Sequence, residues 1–337
     1  MGGSVLYNAN HKKIWPPDIP LNLNEFNINF DHSNEPIIPS NTDSIIKRSM
    51  GNIKDINIDT LTTYAFTKTI YYSTMIKYLE KEKHELFALP YDFRYILFES
   101  YHKLLFKEFK SFLEKKDDKF IIICHSLGGL VLHHFLTNYT TPEWYQKYIS
   151  KIYFINVPFA GSPLSLYTIY DGLHKNNSRL TKNNKIIDFL HKKIKSLYLF
   201  SCFYMSLPTT DDIFFCKDNT RYNARNLQNL FQNNTTSSKM HKIFDEIHLT
   251  HRNKGINLPI NIIYCTGINT TTFYDYDAKI MINTNGDGIV PIDSMLHPKS
   301  WHPLPNFIHI PDMEHSKVLG YLPLLKMISN NKNNLLY

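Results

Sequence analysis

Residues 119–139, KFIIICHSLGGLVLHHFLTNY, constrain this chain more than any other segment. The unbroken apolar run in KFIIIC has the pattern of a strand buried on both faces. The stretch from Ser126 to Tyr139 reads as a helix. Between them, Cys124-His125-Ser126-Leu127-Gly128-Gly129 leaves room only for a sharp strand-to-helix turn. Such a turn exposes a serine hydroxyl at the top of a sheet. Small residues two before and two after the serine let the turn pass close to its neighbours. Gly128 meets that need on one side, and Cys124 stands on the other where glycine is usual. The following helix aims its N-terminus at the serine, so the Leu127 N–H is expected to be one donor to an oxyanion.

The surrounding chain alternates strands and helices. HELFALPY (84–91), KIYFINVP (151–158), INIIYCTG (260–267), AKIMINTN (278–285) and FIHIP (307–311) read as strands. FTKTIYYSTMIKYLEK (66–81), ILFESYHKLLFKEFKSFLEKK (96–116) and SKVLGYLPLLKMI (316–328) read as helices. Phe98, Tyr101, Leu105, Phe109 and Phe112 share one face of the second of these. Alternation of this kind predicts an α/β fold with a mainly parallel sheet and helices on both faces. From about 165 to 250 the alternation stops, and Asn-rich charged pieces interleave with apolar patches. The expected organisation is therefore a core in two parts, 1–164 and 251–337, interrupted by an insertion at 165–250.

A serine of this kind needs a histidine and an acid, following it in the order acid then histidine. Asn285-Gly286-Asp287-Gly288-Ile289-Val290-Pro291 supplies Asp287 on a glycine-flanked loop after a strand. Asp293, Asp275 and Asp277 are competitors. Pro311-Asp312-Met313-Glu314-His315 supplies His315 between the last strand and the last helix. The expected roles are nucleophile for Ser126, general base and acid for His315, and orienting carboxylate for Asp287.

These motifs resemble the lecithin:cholesterol acyltransferase family, which includes phospholipase A-type enzymes and phospholipid acyltransferases. LPYDFR (89–94), CHSLGG, TPEWYQKYISKIYFINVPFAGSP (141–163), GDGIVP and MEHS carry the resemblance, in order, over about 89–316. It implies an α/β-hydrolase fold and a cap over the serine at 165–250. It implies a lipid ester as substrate, and the +7 charge makes an anionic membrane surface the expected place of peripheral contact. Neither a cofactor nor a metal is implied. By the same resemblance MGGSVLY is the second half of a loop carrying the other oxyanion donor, which falls on Met1 or Gly2, and the core's first strand is missing from this chain. Phe159 stands where many members have Trp, and Phe159, Phe200 and Tyr204 are the candidate pocket residues. Asp92 and Arg94 are expected to form a structural bidentate pair, and Trp15 and Trp144 to be packing residues.

Bulk properties narrow the function classes. The 337 residues are 43% hydrophobic, a globular composition, with a formal charge of +7. No block of Lys and Arg has the length nucleic-acid binders use, so no nucleic-acid partner is expected. Cys124, Cys202, Cys216 and Cys265 lack CxxC spacing, which argues against zinc, while a Cys202–Cys216 bridge is left open. No signal peptide, membrane-spanning run or myristoylation signal is read, so a cytoplasmic or membrane-peripheral site is favoured. Three functions are carried forward: a serine lipase or phospholipase A, an O-acyltransferase to a sterol or diacylglycerol, and a catalytically impaired lipid-binding relative.

Overall fold

The computed structural model describes residues 72–171, 200–249 and 252–331. It also describes the shorter stretches 6–7, 13–15, 28, 30–32, 36, 50–51, 53, 58–62, 67–71 and 334–336. In chain order the strands are β1 (Leu6–Tyr7), β2 (Lys13–Trp15), β3 (Ile58–Thr62), β4 (Thr67–Tyr71), β5 (Leu86–Phe87), β6 (Phe120–His125) and β7 (Ile149–Ile155). They continue as β8 (Phe215–Lys217), β9 (Thr220–Tyr222), β10 (Ile260–Cys265), β11 (Ile268–Asp275), β12 (Ile280–Gly286), β13 (Asn306–Ile310) and β14 (Asn334–Leu336). The α-helices are α1 (Ser73–Lys81), α2 (Glu99–Lys116), α3 (Leu127–Asn138), α4 (Pro142–Tyr148), α5 (Leu164–Asp171), α6 (Ser201–Met205), α7 (Gln228–Phe231), α8 (Thr235–Phe244), α9 (Ile292–Leu296) and α10 (Leu322–Ser329).

A six-stranded sheet in the order β13-β10-β7-β6-β14-β5 forms the core, and its pairings are parallel. Alternation along β6 and β7 divides two apolar layers. Phe120, Ile122, Cys124, Ile152 and Phe154 face one layer with α2 and α3. Ile121, Ile123, Tyr153 and Ile155 face the other with α1 and α10. Helix α2 buries Tyr101, His102, Leu105, Phe106, Phe109 and Leu113, a stripe at helical spacing that matches its sequence pattern. At ~25 cal/mol per Å² of apolar surface, stripes of this kind supply most of the drive to pack helix on sheet.

Several boundaries differ from the sequence reading. Within the segment expected as one helix, Thr67–Tyr71 is a strand and Ser73–Lys81 a helix. Residues 67–71 pair antiparallel with β3, and Tyr72, at φ 59°, breaks the chain direction before α1. The strand expected at 84–91 shrinks to Leu86–Phe87. The slot between β6 and β5 is filled by β14, parallel to both. Strands β11 and β12 do not join the core sheet. They form an antiparallel hairpin that continues onto β8 and β9 from the insertion, giving a second sheet in the order β12-β11-β8-β9. The sheet that β8 and β9 begin within 165–250 is thus completed by residues downstream of 250. The four cysteines are free and buried. No helix among the described residues is long and apolar enough to cross a membrane.

Candidate active site

The turn after β6 is tight enough to force Ser126 to φ 55° and ψ −128°, outside the regions open to ordinary residues. A conformation of that kind costs about 1–3 kcal/mol and persists only where surroundings over-determine it. Here the Ser126 N–H donates to Ile155 O on β7 at 2.9 Å, and Cys124 lies in register with Phe154. The close approach falls at Gly129, not at Gly128. A Cβ on Gly129 would lie 2.2 Å from Val157 Cγ2, whereas one on Gly128 would meet only Tyr91 Oη at 3.6 Å. The residue that lets the helix pass is therefore one position later than the sequence reading placed it. Cys124 is buried, and burial pushes its thiol pKa well up, so it remains a neutral small hydrophobe.

The three candidate residues converge. The Ser126 hydroxyl donates to His315 Nε2 at 2.9 Å, and His315 Nδ1–H donates to Asp287 Oδ2 at 2.6 Å. The other carboxylate oxygen of Asp287 accepts the Ile289 and Val290 N–H groups at 2.9 and 2.7 Å. Asp287 is buried, while His315 keeps 15% of its side-chain exposure and Ser126 is half-buried. The carboxylate's lone pairs are thus committed, and the nucleophile end stays reachable. Asp293 is exposed in the first turn of α9, and Asp275 caps its own turn through Asp277 N and Ala278 N. Leu127 heads α3, so its N–H has no intrahelical acceptor and lies beside Ser126. Met1 and Gly2 lie outside the described residues.

The Val157–Ser162 turn links this site to the segment after α6, at Ser206 and Leu207. Gly161 sits at φ 79° with Leu207 O only 2.0 Å from where a Cβ would stand. Ser162 N–H donates to Ser206 O, and the Ser162 hydroxyl donates to Ile289 O at 2.7 Å, inside the acid loop. The backbone of the Tyr91–Arg94 motif works in the same direction, with Phe93 O and Arg94 O accepting the Cys202 and Ser201 N–H groups that open α6. Arg94 and Asp92 form the expected bidentate pair, fully buried, at 2.8–3.2 Å.

All three candidate pocket residues are fully buried in ring clusters. Phe159 packs edge-on against Phe154 and Trp301, with His133 nearby. Phe200 lies against Phe93 and Phe203, and Tyr204 against Phe231. Trp144 packs on Phe135 and donates to Glu114. No cluster of three metal-ligating side chains occurs among the described residues. Sequence reasoning missed His125, Asn156 and Ser162. For His125 the signal was its place directly before the serine, and for Ser162 the turn motif. Nothing in the sequence marks Asn156.

The parallel core sheet, the strained serine turn between β6 and α3, and the acid and histidine loops that follow later strands define an α/β-hydrolase fold. The sequence matches the lecithin:cholesterol acyltransferase family over residues 40–254, and the chain belongs to that family. Among curated proteins it is 34% identical over 119 residues to lecithin-cholesterol acyltransferase-like 1 of Arabidopsis thaliana. That match covers 31% of this chain and 27% of the relative, so the chain spans about a quarter of the length of the curated protein it matches. A bromoperoxidase from Bacillus anthracis superposes with TM-score 0.35 at 13% identity, over 76% of this chain and 84% of that one. An epoxide hydrolase variant from Bacillus megaterium gives TM-score 0.31 at 11% identity, over 67% and 74%. Likeness this distant says nothing of substrate.

Proposed function

We propose that the protein is a serine acyl hydrolase of the phospholipase A type, cleaving an acyl ester of a glycerophospholipid or related lipid. The observation that carries the reading is the continuous hydrogen-bond chain Ser126–His315–Asp287. In the proposed first step His315 Nε2 takes the Ser126 proton as Oγ attacks the ester carbonyl carbon. The tetrahedral oxyanion forms against the Leu127 N–H at the head of α3. His315, now imidazolium beside Asp287, returns the proton to the leaving alcohol oxygen as the ester C–O bond breaks. Water then repeats the sequence on the acyl-serine and releases a fatty acid. The cap is the element that shields this intermediate from water.

A second reading is favoured by the name of the Arabidopsis relative, an acyltransferase-like protein. In that case a sterol or diacylglycerol hydroxyl replaces water in the second half. A fluorophosphonate probe and product analysis test both. Labelling of the wild type that disappears in Ser126→Ala is expected. Absence of labelling in folded wild type would sink both enzyme readings and leave a lipid-binding role. Free fatty acid from phospholipid vesicles without an alcohol acceptor supports hydrolysis. Its absence, with ester formed only when the alcohol is added, supports transfer.

A further inference from the structure

His315 belongs to no helix or strand, yet its ring must meet Ser126 and Asp287 at once. Its main chain is held at both ends. The His315 N–H donates to Asp287 O at 2.8 Å. The His315 carbonyl accepts two donors, His125 Nε2–H at 2.8 Å and Asn156 Nδ2–H at 3.1 Å.

Both donors are held by elements other than the loop that carries His315. Asn156 is buried, in the left-handed region at φ 49°, which Asn tolerates better than most residues. Its N–H donates to Ile263 O, and its Oδ1 accepts the Cys265 N–H at 3.0 Å, which ties it to β10. The amide orientation follows: with Oδ1 on an N–H, Nδ2 is the end that faces the carbonyl. His125 is buried against Tyr72 and the His315 ring. Burial, and next the nearby His315, hold its pKa well below the usual imidazole value, so the ring is neutral. Bonding a carbonyl through Nε2 requires the proton on Nε2.

The two donors also share a frame with the nucleophile. His125 precedes Ser126 on β6, and Asn156 follows Ile155, whose carbonyl accepts the Ser126 N–H. Two neighbouring dipeptides at the ends of paired strands, His125-Ser126 and Ile155-Asn156, thus locate both the serine and the carbonyl of the histidine. We infer that His125 and Asn156 are positioning residues that grip the His315 carbonyl and set the imidazole at reach of Ser126. The inference rests on the triad reading above. Because the grip acts on the base and touches no substrate, its loss falls on kcat.

The test uses turnover of a short-chain p-nitrophenyl ester, with urea unfolding run on every variant. Asn156→Asp keeps the left-handed backbone and the acceptor for Cys265 N–H but loses the donor. His125→Leu removes the other donor, and His125→Gln restores an N–H at similar reach. Asn156→Asp and His125→Leu are each expected to lower kcat by about 10- to 100-fold while KM moves by less than roughly two-fold. His125→Gln is expected to recover most of the loss. Parental kcat in folded Asn156→Asp or His125→Leu overturns the inference, as does a Gln variant no better than Leu. If one variant does not fold, the other decides. Ser126→Ala separates the two levels. An inactive Ser126→Ala alongside fully active Asn156→Asp and His125→Leu removes only this inference, whereas an active Ser126→Ala removes the triad and the grip together.

Discussion

Gly128 and Gly129 are adjacent on α3, and the structure assigns them opposite responses to the same change. An alanine Cβ at 129 would stand 2.2 and 2.7 Å from the two Val157 methyls and 3.1 Å from Phe154 Cδ1. Val157 and Phe154 are both buried, so neither has room to retreat. Overpacking of this sort costs about 1–3 kcal/mol, against about 1 kcal/mol gained by replacing glycine with alanine inside a helix. Gly129→Ala should therefore lose roughly 1 kcal/mol of stability on balance. Gly128→Ala meets only Tyr91 Oη at 3.6 Å, an ordinary contact, so the helix gain stands and stability holds or rises by up to about 1 kcal/mol. Urea midpoints at unchanged m measure the difference. The attribution to Val157 has its own check. Adding Val157→Ala should return at least about 1 kcal/mol as coupling energy in a double-mutant cycle. Turnover should fall in Gly129→Ala as well, since the first turn of α3 carries the Leu127 N–H. A Gly129→Ala protein as stable as Gly128→Ala would refute the packing argument.

Asp287→Asn should cut kcat by about 10⁴-fold, the loss typical when a triad carboxylate no longer fixes its histidine; steady-state kinetics on the same ester measures it. Gly161→Ala should destabilise by about 1–3 kcal/mol from its positive φ alone, before the clash with Leu207 O, and its urea midpoint should fall accordingly. His102 is buried beside His134 with Nε2 on Ile96 O, and burial pulls its pKa to about 4 from the ordinary 6.5. The folded value lies below the unfolded one, so this contribution is intact above pH 6.5 and is lost as pH falls toward 4, by about 3 kcal/mol in all. Comparing urea midpoints at neutral and acid pH should show a smaller drop in His102→Gln than in the parent.

The legible parts of this molecule are those whose pattern has one physical solution. FIIIC could only be a strand covered on both faces, and the stripe along 99–116 only a helix against the sheet. The three candidate residues could be picked out because each follows a strand in the required order. The segment 66–81 misled because Ile70, Tyr71, Met75 and Ile76 fit helical spacing while Thr67 and Thr69 suit a strand. The hairpin with β3 and the left-handed Tyr72 decide it, and neither is a local pattern. Strand β12 was readable as a strand but not as part of the second sheet, and β11 was not read as a strand, since pairing partners are set by tertiary contacts. Gly129 outranks Gly128 for the same reason, because the obstacle is Val157 on another element.

Strand β14 has a consequence for how the molecule assembles. Its three residues stand inside the core sheet, between strands formed from the first half of the chain. Until they arrive, β5 and β6 face each other across an open row of unpaired N–H and C=O groups, the kind of edge another chain can capture. Strand β14 pairs with strands far from it in the chain, and contacts of such sequence separation form slowly. The sheet is therefore sealed from within by a distant and short strand. A chain in which that strand is undocked presents this open slot to its neighbours.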